Sequence, residues 1–558
     1  MLYFSPVLLM MQRLLFLAIA VLLALSWLSP YHYTPWLTLS SELLAYAAAL
    51  CTLALYIDKP LQLPKLNVPL FVMACIPFVQ WVFGIEFYFS KALLSALYVF
   101  AFAMMVVLGF NLTQDPVQRE KVFKGWSLLT FVVGLISVGI ALLQWLHLDQ
   151  GLSLIMPLRG NRPYANFAQP NNMATFLMMG LMSCLYLFEK CTLPTWLVTL
   201  GALLLTFTIA LSQSRTPWVA CAVLSIYLFF KLSAAYRFKR YHVAAWVMIY
   251  IGCLLAIPSL NAILVHLGLS HSEMSDVIAR ASSSHSRFNI WMQMLYAIQQ
   301  HPWLGYGWNQ TSYAQLVGAD FLQHNERTNS AHNLILELLV WNGVIVGTAI
   351  IAYIAWWLWR LNKQVEKSES LVATLMVCCV LIHAMFEFPQ DYAYFLLPVG
   401  FLLGVIQAQT AKLKAFSLSA NLNTAILVIG ILLYGLIWRD YLSSIDALNQ
   451  GHKHSDQGIP AVKPYRVYVL DQFDQRANWY YLDRFSRLSP QQLEHYHQVA
   501  VTTPTHYDLY KYAQLLAYNG QNQEAQHQLA LIHGLYQVDH PYNQLLLDQD
   551  HNGRAIRK

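Results

Sequence analysis

Long apolar segments alternate with short polar segments over most of this chain. Runs of about 20 apolar residues recur from the N-terminus to residue 438, and a run of that length crosses the hydrocarbon core of a bilayer as an α-helix. Beyond residue 440 the sequence becomes polar, and no later run is long enough to span. The pattern predicts an all-α polytopic membrane protein with a soluble C-terminal tail.

Thirteen segments fit this pattern, so we expect about thirteen transmembrane helices. The predicted spans cover residues 7–29, 37–57, 66–84, 91–111, 124–146, 172–189, 195–211, 216–233, 242–262, 331–359, 370–388, 392–409 and 422–438. The first runs straight into further spans without a clear cleavage site. It is therefore predicted to be an uncleaved helix and not a signal peptide.

Lysine is unevenly distributed between the connections, and this sets the predicted orientation. One alternate set of connections carries Lys59, Lys65, Lys121, Lys124, Lys190, Lys231, Lys239, Lys363, Lys367, Lys412 and Lys414. Loops rich in positive charge stay in the cytoplasm, so we expect a cytoplasmic N-terminus. The long loop 263–330 and the C-terminal tail then lie on the opposite side of the membrane.

Composition excludes an ordinary water-soluble globular protein. The chain is 57% hydrophobic and 11% charged, whereas soluble domains carry about 25% charged residues. A net charge of +6 is modest, and we expect no nucleic acid partner. The eight cysteines lie in or beside apolar segments, with none in the long loop or the tail, so no disulfide framework is expected.

Lysine is almost absent from the loops of the opposite face, but arginine occurs there, at Arg159, Arg162, Arg215, Arg280, Arg287 and Arg327. The planar guanidinium group binds phosphate oxygens through paired hydrogen bonds, so a cluster of arginines would hold a phosphate or diphosphate group at the membrane surface. The alternative is that each arginine extends toward lipid headgroups or pairs with a nearby carboxylate. For Arg215, in the tight turn QSRTPW between two spans, we favour phosphate binding.

A histidine at the start of the tenth predicted span is the leading candidate for proton transfer. His332 follows a polar loop and precedes Asn333. Histidine exchanges a proton near neutral pH, although such a residue can also merely mark the start of a helix. We interpret His332 as functional and Asn333 as an orienting or capping partner. Glu337, inside the same predicted span, would need a polar partner.

Other polar residues on the same face have two open interpretations each. His383 and Glu387 are four residues apart on the eleventh predicted span, hence on one helix face. They would form a second catalytic pair or a hydrogen-bonded brace between helices, and we favour the brace. In FAQPNN, the amides of Gln169, Asn171 and Asn172 would either bind sugar hydroxyl groups or cap a helix.

The long loop contains a predicted helix. Phe288, Trp291, Leu295 and Ile298 recur at helical spacing after SSSHSR (282–287), whose serines favour a helix start. We expect this helix to lie in the membrane interface with its apolar side down. The sequence HPWLGYGW, with a proline and two glycines, ends it.

The tail also has a helical pattern. Residues 507–532 predict two helices around Asn519-Gly520, and this pair resembles one tetratricopeptide-type hairpin. A generic helical domain is an equal alternative. In either case we expect a small helical domain beyond the last span.

Several motifs resemble those of known membrane enzymes. NSAHNLILELLVWNGVIVG, SQSRTPW, SRFNIW and HPWLGYG are similar to the membrane domain shared by O-antigen ligases, polysaccharide polymerases and bacterial protein O-oligosaccharyltransferases. RPYANFAQPNNMATF and HAMFEFPQDYAYFLLPVGFLLG resemble, more narrowly, the PglL-type protein glycosylation ligases of Gram-negative bacteria. The resemblance is best over residues 150–410, and the first spans and the tail match only in general character.

The resemblance implies transfer of a preassembled oligosaccharide from undecaprenyl diphosphate to serine or threonine of a periplasmic or pilin-like protein. His332 would assist acceptor activation. The implied diphosphate-binding residues are Arg215, Arg287, Arg159 and Arg162, and the supporting or glycan-binding residues are Gln169, Asn171, Asn333, His383 and Glu387. The resemblance implies no cofactor and no required metal, and Asp276 and Asp320 leave a metal site as the less favoured alternative.

The implied domain organisation has three parts in the bacterial inner membrane. These are N-terminal helices 1–150, a catalytic core 151–440 that includes the loop 263–330, and a periplasmic helical domain 441–558. Two alternatives remain. One is an O-antigen ligase acting on lipid A core, or a polysaccharide polymerase, and the other is a transporter of lipid-linked glycan. A transporter favours ionisable residues at mid-membrane and inverted repeats, which are not evident here.

Overall fold

The computed structural model describes residues 6–268, 285–410, 413–457, 466–549 and 555–557, and these are mostly helical. The chain divides into two compact units, each assembled from three separate segments. Unit 1 comprises Met1–Phe71, Tyr98–Ser283 and Ala355–Ile431, and unit 2 comprises Val72–Leu97, Ser284–Ile354 and Leu432–Lys558. The serines at 282–284, expected at a helix start, lie outside the described residues. The functional division at residues 150 and 440 stays a prediction.

Eight helical stretches of the described residues are long and apolar enough to cross a membrane: Met10–Leu28, Lys65–Val82, Phe89–Leu112, Pro116–Trp145, Pro170–Glu189, Arg240–His266, Leu334–Asn362 and Ala420–Gly451. Shorter apolar helices accompany them at Leu39–Ala54, Thr195–Leu211, Thr216–Lys231, Ser368–Ala384 and Ala393–Gln407. An all-α membrane protein is therefore confirmed.

Close packing of small residues joins helices in unit 1. A Cβ atom on Gly404 would lie 2.3 Å from the carbonyl oxygen of Val106, and one on Gly109 would lie 2.3 Å from that of Phe401. Such glycines let two helix backbones approach closely where lipid supplies no hydrophobic driving force between helices. The contact fixes helix Ala393–Gln407 against the later part of Phe89–Leu112.

The third predicted span is interrupted in the structure. Expected as one helix over 66–84, it consists of a 3-10 turn at Lys65–Asn67 followed by helices Val68–Met73 and Ile76–Val82. Pro77 lies in the first turn of the last helix. A proline is tolerated there because its missing N–H group is not needed, but it prevents the preceding helix from continuing.

The tenth predicted span, expected over 331–359, is also not one continuous helix. The helical residues run over Leu334–Asn362, but the backbone of Gly343 is not helical, with φ 71° and ψ 176°. A Cβ on Gly347, beyond this bend, would lie 2.7 Å from the carbonyl oxygen of Leu338 before it. Glu337 therefore lies in a short helix ahead of the bend, which corrects the sequence prediction.

Several element boundaries differ from the predicted ones. The fifth predicted span begins eight residues early, at Pro116 of helix Pro116–Trp145, where the carboxylate of Asp115 accepts the N–H of Gln118 at 2.7 Å. The last span continues as helix Ala420–Gln457, well past residue 440. A short antiparallel ladder between Leu61–Pro64 and Ala415–Leu418 was not predicted from the sequence.

The helix predicted in the long loop is present as His285–Gln300, and a second helix, Thr311–Ala319, follows it. The position of His285–Gln300 in the membrane interface stays a prediction. Ile290, Met294 and Ala297 are fully buried, whereas Phe288 is 61% exposed. Apolar residues occupy two faces of this helix, so spacing alone did not identify the face that packs against protein.

The tail of unit 2 contains helices Asp471–Tyr481, Pro490–Thr502, His506–Tyr518 and Asn522–Tyr536, followed by paired strands Leu547–Gln549 and Ala555–Arg557. The two helices predicted around Asn519-Gly520 are thus present, with Ala513, Leu516 and Ala525 buried in their core. Their assignment to the tetratricopeptide type stays a prediction.

The tail shares its hydrophobic core with other segments of unit 2. Tyr88 belongs to the same buried cluster as Trp479, and Leu316 from the loop helix packs with Leu509 and Ile532. Burial of these apolar side chains makes the tail and the loop one folded body.

Polar contacts join the tail to the start of helix Phe89–Leu112. The carboxylate of Asp471 accepts the backbone N–H groups of Phe89 and Ser90 at 3.2 and 2.9 Å. In return, the hydroxyl of Ser90 accepts the N–H of Gln472 at 3.2 Å. Each helix start thus receives a capping acceptor from the other.

Candidate active site

His332 lies in a strained turn just before the helix that begins at Leu334. Its φ of 51° places it in the left-handed region, which costs a residue with a Cβ atom about 1 kcal/mol. The backbone N–H of His332 donates to the hydroxyl of Ser330 at 3.0 Å, and the imidazole is half-buried. Backbone strain of this kind is concentrated at functional sites, so it supports a chemical role for this residue.

Asn333 is the N-cap of the helix that follows His332. Its side-chain oxygen accepts the backbone N–H groups of Ile335 and Leu336 at 3.0 and 3.2 Å. These donors have no partner within the helix, and an N-cap asparagine satisfies them. Asn333 therefore holds the start of the helix beside His332.

Glu337 anchors the same turn from inside the helix. Its carboxylate is 1% exposed and accepts the backbone N–H of Ala331 at 2.7 Å. The hydroxyl of Thr311 donates to its other oxygen, while the hydroxyl itself accepts the indole N–H of Trp341 at 2.8 Å. Glu337 also interacts with Ser330 and, electrostatically, with His332. This network supplies the polar partners that a buried carboxylate requires.

Arg287 lies in the first turn of helix His285–Gln300, one turn before Trp291. The indole N–H of Trp291 donates to the carbonyl oxygen of Ala331 at 3.0 Å, so this helix is attached to the residue that precedes His332. The helix that carries Arg287 and the turn that carries His332 are thus joined by a hydrogen bond within unit 2. The Arg287 side chain is half-buried.

A second polar cluster lies in unit 1, around the turn that carries Arg215. The side chain of Arg162 donates through Nε to the carbonyl oxygen of Ser212 at 2.8 Å and through Nη2 to Asn171 Oδ1 at 3.5 Å. The hydroxyl of Ser214 donates to the same Asn171 oxygen at 2.6 Å. The structure therefore brings the segments that carry Arg162 and Arg215 together.

Arg215 itself is the N-cap residue of helix Thr216–Lys231, and its side chain is half-buried. Two residues earlier, Gln213 has a left-handed backbone with φ 48°. The positive end of the helix dipole points out of this N-terminus, which favours an anion next to Arg215. Arg159, in contrast, is exposed, and the contact made by its backbone N–H is with the hydroxyl of Tyr164 at 2.8 Å.

Glu387 is buried and holds the amides of the FAQPNN motif. Its carboxylate accepts Asn171 Nδ2 at 2.9 Å and Gln169 Nε2 at 3.4 Å. His383 is buried as well, with Nδ1 at 2.9 Å from the hydroxyl of Thr175. Since Thr175 lies on helix Pro170–Glu189 and His383 on Ser368–Ala384, this contact joins the two helices.

The side chain of Gln169 does not cap the helix that it precedes. Gln169 is the N-cap of helix Pro170–Glu189, yet its side chain makes no capping hydrogen bond. Asn172 donates through Nδ2 to the hydroxyl of Tyr394 at 3.3 Å. The amides thus contact other side chains of unit 1, and any role in binding sugar remains a prediction.

Among the described residues, no group of three or more His, Cys, Asp or Glu side chains is placed to hold a metal ion. Asp320, one of the two carboxylates considered for a metal, pairs with Nε2 of His527 at 2.7 Å. The other, Asp276, lies outside the described residues. Asp320 therefore connects the long loop to the tail.

Sequence reasoning missed several residues of these clusters. Thr311, Trp291 and Ser214 support the turns of His332 and Arg215, but nothing in their local sequence marks them. Their contacts with those turns come from positions distant in the chain or from a backbone bend. Thr311 and Ser214 lie in polar stretches of sequence, so their composition gave no signal.

Comparison with known families identifies the class of protein. Residues 200–351 match the O-antigen ligase family, a stretch that includes Arg215, Arg287 and His332. Residues 371–546 match the C-terminal region of virulence factor membrane-bound polymerases, and residues 163–188 match protein glycosylation ligases. These matches define a membrane-embedded glycosyltransferase.

Relatives of known function narrow the class. The chain is 42% identical over 552 residues to a general O-oligosaccharyltransferase of Acinetobacter baylyi, covering 98% of this chain and 96% of the relative. It is 29% identical over 508 residues to a ComP-specific O-oligosaccharyltransferase of the same organism, covering 88% of this chain and 89% of that relative. The chain belongs to the O-oligosaccharyltransferase family, which confirms the resemblance to protein glycosylation ligases and the assignment as an enzyme that uses a lipid-linked oligosaccharide.

Proposed function

We propose that this enzyme transfers a preassembled oligosaccharide from undecaprenyl diphosphate to serine or threonine hydroxyl groups of periplasmic, pilin-like proteins. The strained, anchored turn at His332 is the observation that carries the proposal. A half-buried histidine in a costly backbone conformation, in a turn fixed by three neighbours, is suited to proton transfer. The similarity to a general O-oligosaccharyltransferase supports a protein acceptor.

His332 acts as the general base toward the acceptor. A serine or threonine hydroxyl is a weak nucleophile, and the imidazole accepts its proton as the oxygen attacks the anomeric carbon of the donor sugar. The new glycosidic bond forms while the bond between the anomeric carbon and the diphosphate oxygen breaks. The diphosphate leaves with that electron pair.

The arginines bind the diphosphate and stabilise the negative charge that develops on it. Arg215 and Arg162 belong to one hydrogen-bonded cluster, and the helix N-terminus at Arg215 adds a positive dipole. Arg287 acts from the helix attached to the His332 turn, and the exposed Arg159 is a peripheral contact. Gln169, Asn171, His383 and Glu387 support the cluster around Arg162.

We also propose thirteen membrane crossings in the bacterial inner membrane, with a cytoplasmic N-terminus. The eight long helical stretches and the shorter apolar helices agree in position with the predicted spans, and the lysine-rich connections give the orientation. The His332 turn and the tetratricopeptide-like tail are then periplasmic.

The test is glycan transfer by the purified enzyme in detergent or lipid nanodiscs. A lipid-linked oligosaccharide and a pilin-like acceptor are supplied, and the intact mass of the acceptor is measured. We expect His332→Ala to reduce transfer by about 100-fold or more, as for loss of a general base. His301→Ala, which changes another histidine of unit 2 outside the site, is the matched control and retains transfer.

Two results would contradict the proposal. One is a His332→Ala variant that glycosylates at the wild-type rate. The other is an unmodified acceptor protein beside newly glycosylated lipid A core, which would identify an O-antigen ligase.

A further inference from the structure

A long apolar cavity lies among four helices of unit 1: Pro170–Glu189, Thr195–Leu211, Thr216–Lys231 and Arg240–His266. Its volume is about 410 Å³, and its walls are mostly apolar, with Met178, Ile209, Leu224 and Trp246 among the lining residues. Flexible methionine side chains suit a surface that adapts to a hydrocarbon chain. The composition of the walls therefore indicates an apolar occupant.

The cavity follows one stripe of helix Thr216–Lys231. The residues of this helix that line it are Pro217, Cys221, Leu224, Ser225 and Leu228, which recur at helical spacing. Eleven residues separate the first from the last, a rise of roughly 16 Å. That length is about half of the hydrocarbon thickness of a bilayer, so the cavity is long enough to hold part of an extended hydrocarbon chain.

One end of the cavity adjoins the proposed phosphate site. Pro217 lines the cavity and lies only two residues after Arg215. The cavity therefore begins within one helical turn of Arg215.

We propose that this cavity holds the prenyl chain of the lipid-linked donor while the diphosphate is bound at Arg215. The inference rests on the proposed function, because it names the place of that donor's chain. In a prenyl diphosphate the hydrocarbon begins at the phosphate oxygen itself. The proposal thus requires an apolar surface immediately beside the phosphate-binding residue.

The end of the cavity near Pro217 meets this requirement. Pro217 has no N–H group, Met178 and Ile209 are apolar, and the hydroxyl of Thr206 already donates to the carbonyl oxygen of Ala202 at 2.8 Å. A phospholipid would place its glycerol and two ester groups at this level, and ester carbonyl groups buried without hydrogen-bond donors are costly. The local chemistry therefore favours a prenyl chain over a phospholipid.

A tyrosine deeper in the cavity gives independent support. Tyr250 lines the cavity, and among the described residues its buried hydroxyl has no hydrogen-bond partner. Each isoprene unit carries a double bond, and π electrons accept a weak hydrogen bond. A saturated acyl chain has no such acceptor.

The experiment compares two donors that carry the same glycan and diphosphate, one with the full undecaprenyl chain and one with two isoprene units. An isoprene unit spans roughly 5 Å by ordinary bond lengths, so the short chain ends before Leu224, which is nine residues or roughly 13 Å beyond Arg215. The variants are Leu224→Trp, which fills the cavity from one wall, and Ala202→Phe, which fills it from another; both residues line it. Val223→Trp, on the exposed side of the same helix at 44% exposure, is the matched control.

We expect the KM of the long-chain donor to rise about tenfold in both cavity variants, with less than about a twofold change for the short-chain donor and none in the control. Retained transfer from the short-chain donor shows that the variants fold. Equal KM changes for both donors, or a wild-type KM independent of chain length, would overturn the assignment while leaving the proposed function intact. Absence of transfer from either donor by the wild-type enzyme would instead overturn the proposed function.

Discussion

His332 adopts a conformation that costs free energy, and its neighbours offset that cost. Glu337 accepts the N–H of the preceding residue, Ser330 accepts the N–H of His332 itself, and Trp291 donates to the carbonyl group of Ala331. The turn is therefore fixed by side chains on both sides. In the mechanism that we propose, a histidine in such a turn loses little orientational freedom when the acceptor binds.

Glu337 is accordingly a positioning residue, and we predict the effect of Glu337→Gln. The glutamine amide has the same shape but replaces one acceptor oxygen with a donor, which then faces the N–H of Ala331 or the hydroxyl of Thr311. We expect kcat for glycan transfer to fall by about 10-fold to 100-fold with little change in KM. Transfer rates over a range of donor and acceptor concentrations give both values.

Glu326→Gln is the control for this change, since Glu326 is exposed in the same loop. A purely structural role for Glu337 would lower the yield and the unfolding temperature but leave kcat per folded molecule unchanged, and that result would refute the positioning role.

The sequence made His332 a candidate because of its position between a polar loop and an apolar segment, and that boundary is local. It did not identify Thr311 or Trp291, which reach the His332 turn from 21 and 41 residues away in the chain. The contact of Asn171 with Glu387 was not predicted either, because these residues are also far apart in the chain. Long-range pairing of polar side chains follows from how helices pack, and spacing along one segment contains no information about it.

The bend at Gly343 shapes the element that carries the site. The HPWLGYGW loop packs against it, and the backbone N–H of Tyr306 donates to the carbonyl oxygen of Val340 at 2.9 Å. The N–H of Val344 in turn donates to the carbonyl oxygen of Pro302 at 2.7 Å. Backbone groups released by the bend thus find partners in the loop, as buried peptide groups require.

We predict that Gly343→Ala destabilises the protein by more than about 2 kcal/mol. The φ and ψ of Gly343 are unfavourable for any residue with a side chain, and the new Cβ would lie 2.4 Å from the carbonyl oxygen of Trp303. The unfolding midpoint in detergent, followed by tryptophan fluorescence, should decrease, and glycan transfer should be lost with it.

Gly139→Ala is the matched control, because it lies within helix Pro116–Trp145 with no atom within 4 Å of the added Cβ. Alanine favours a helix over glycine, so its midpoint should be unchanged or higher. A Gly343→Ala protein as stable as wild type would show that the bend is not required.

Apolar periodicity located the spans because the bilayer demands a run of a certain length. It missed the bend because the residues on both sides of Gly343 are equally apolar, and only the Asn342-Gly343 pair indicated a turn. It also placed the end of the last helix too early. Helix Ala420–Gln457 continues after the apolar run ends, since polar residues propagate an existing helix without difficulty.

The two compact units are built from interleaved segments. For this reason the division predicted from the sequence, with boundaries at residues 150 and 440, differs from the division that the contacts give. Composition changes at residue 440, where the last apolar run ends. Contacts instead assign Val72–Leu97 and Ser284–Ile354 to the same unit as the tail. The tail is consequently part of the folded body that contains the His332 turn, through the shared core of Leu316 with Leu509 and Ile532.

Asp471 is a main polar attachment of the tail within unit 2, and we predict that Asp471→Ala weakens this attachment. The carboxylate caps the start of helix Phe89–Leu112 through two backbone N–H groups, and loss of a cap costs about 1 kcal/mol. We expect a lower unfolding midpoint, faster proteolysis of the tail and reduced glycan transfer by the full-length enzyme.

Asp474→Ala is the control, since Asp474 lies in the same tail helix and its carboxylate accepts only from Asn478, at 3.3 Å, among the hydrogen bonds of the described residues. If both variants transferred glycan at the wild-type rate while only Asp471→Ala released the tail to protease, the tail would be dispensable for catalysis, and its common core with the loop would serve stability alone.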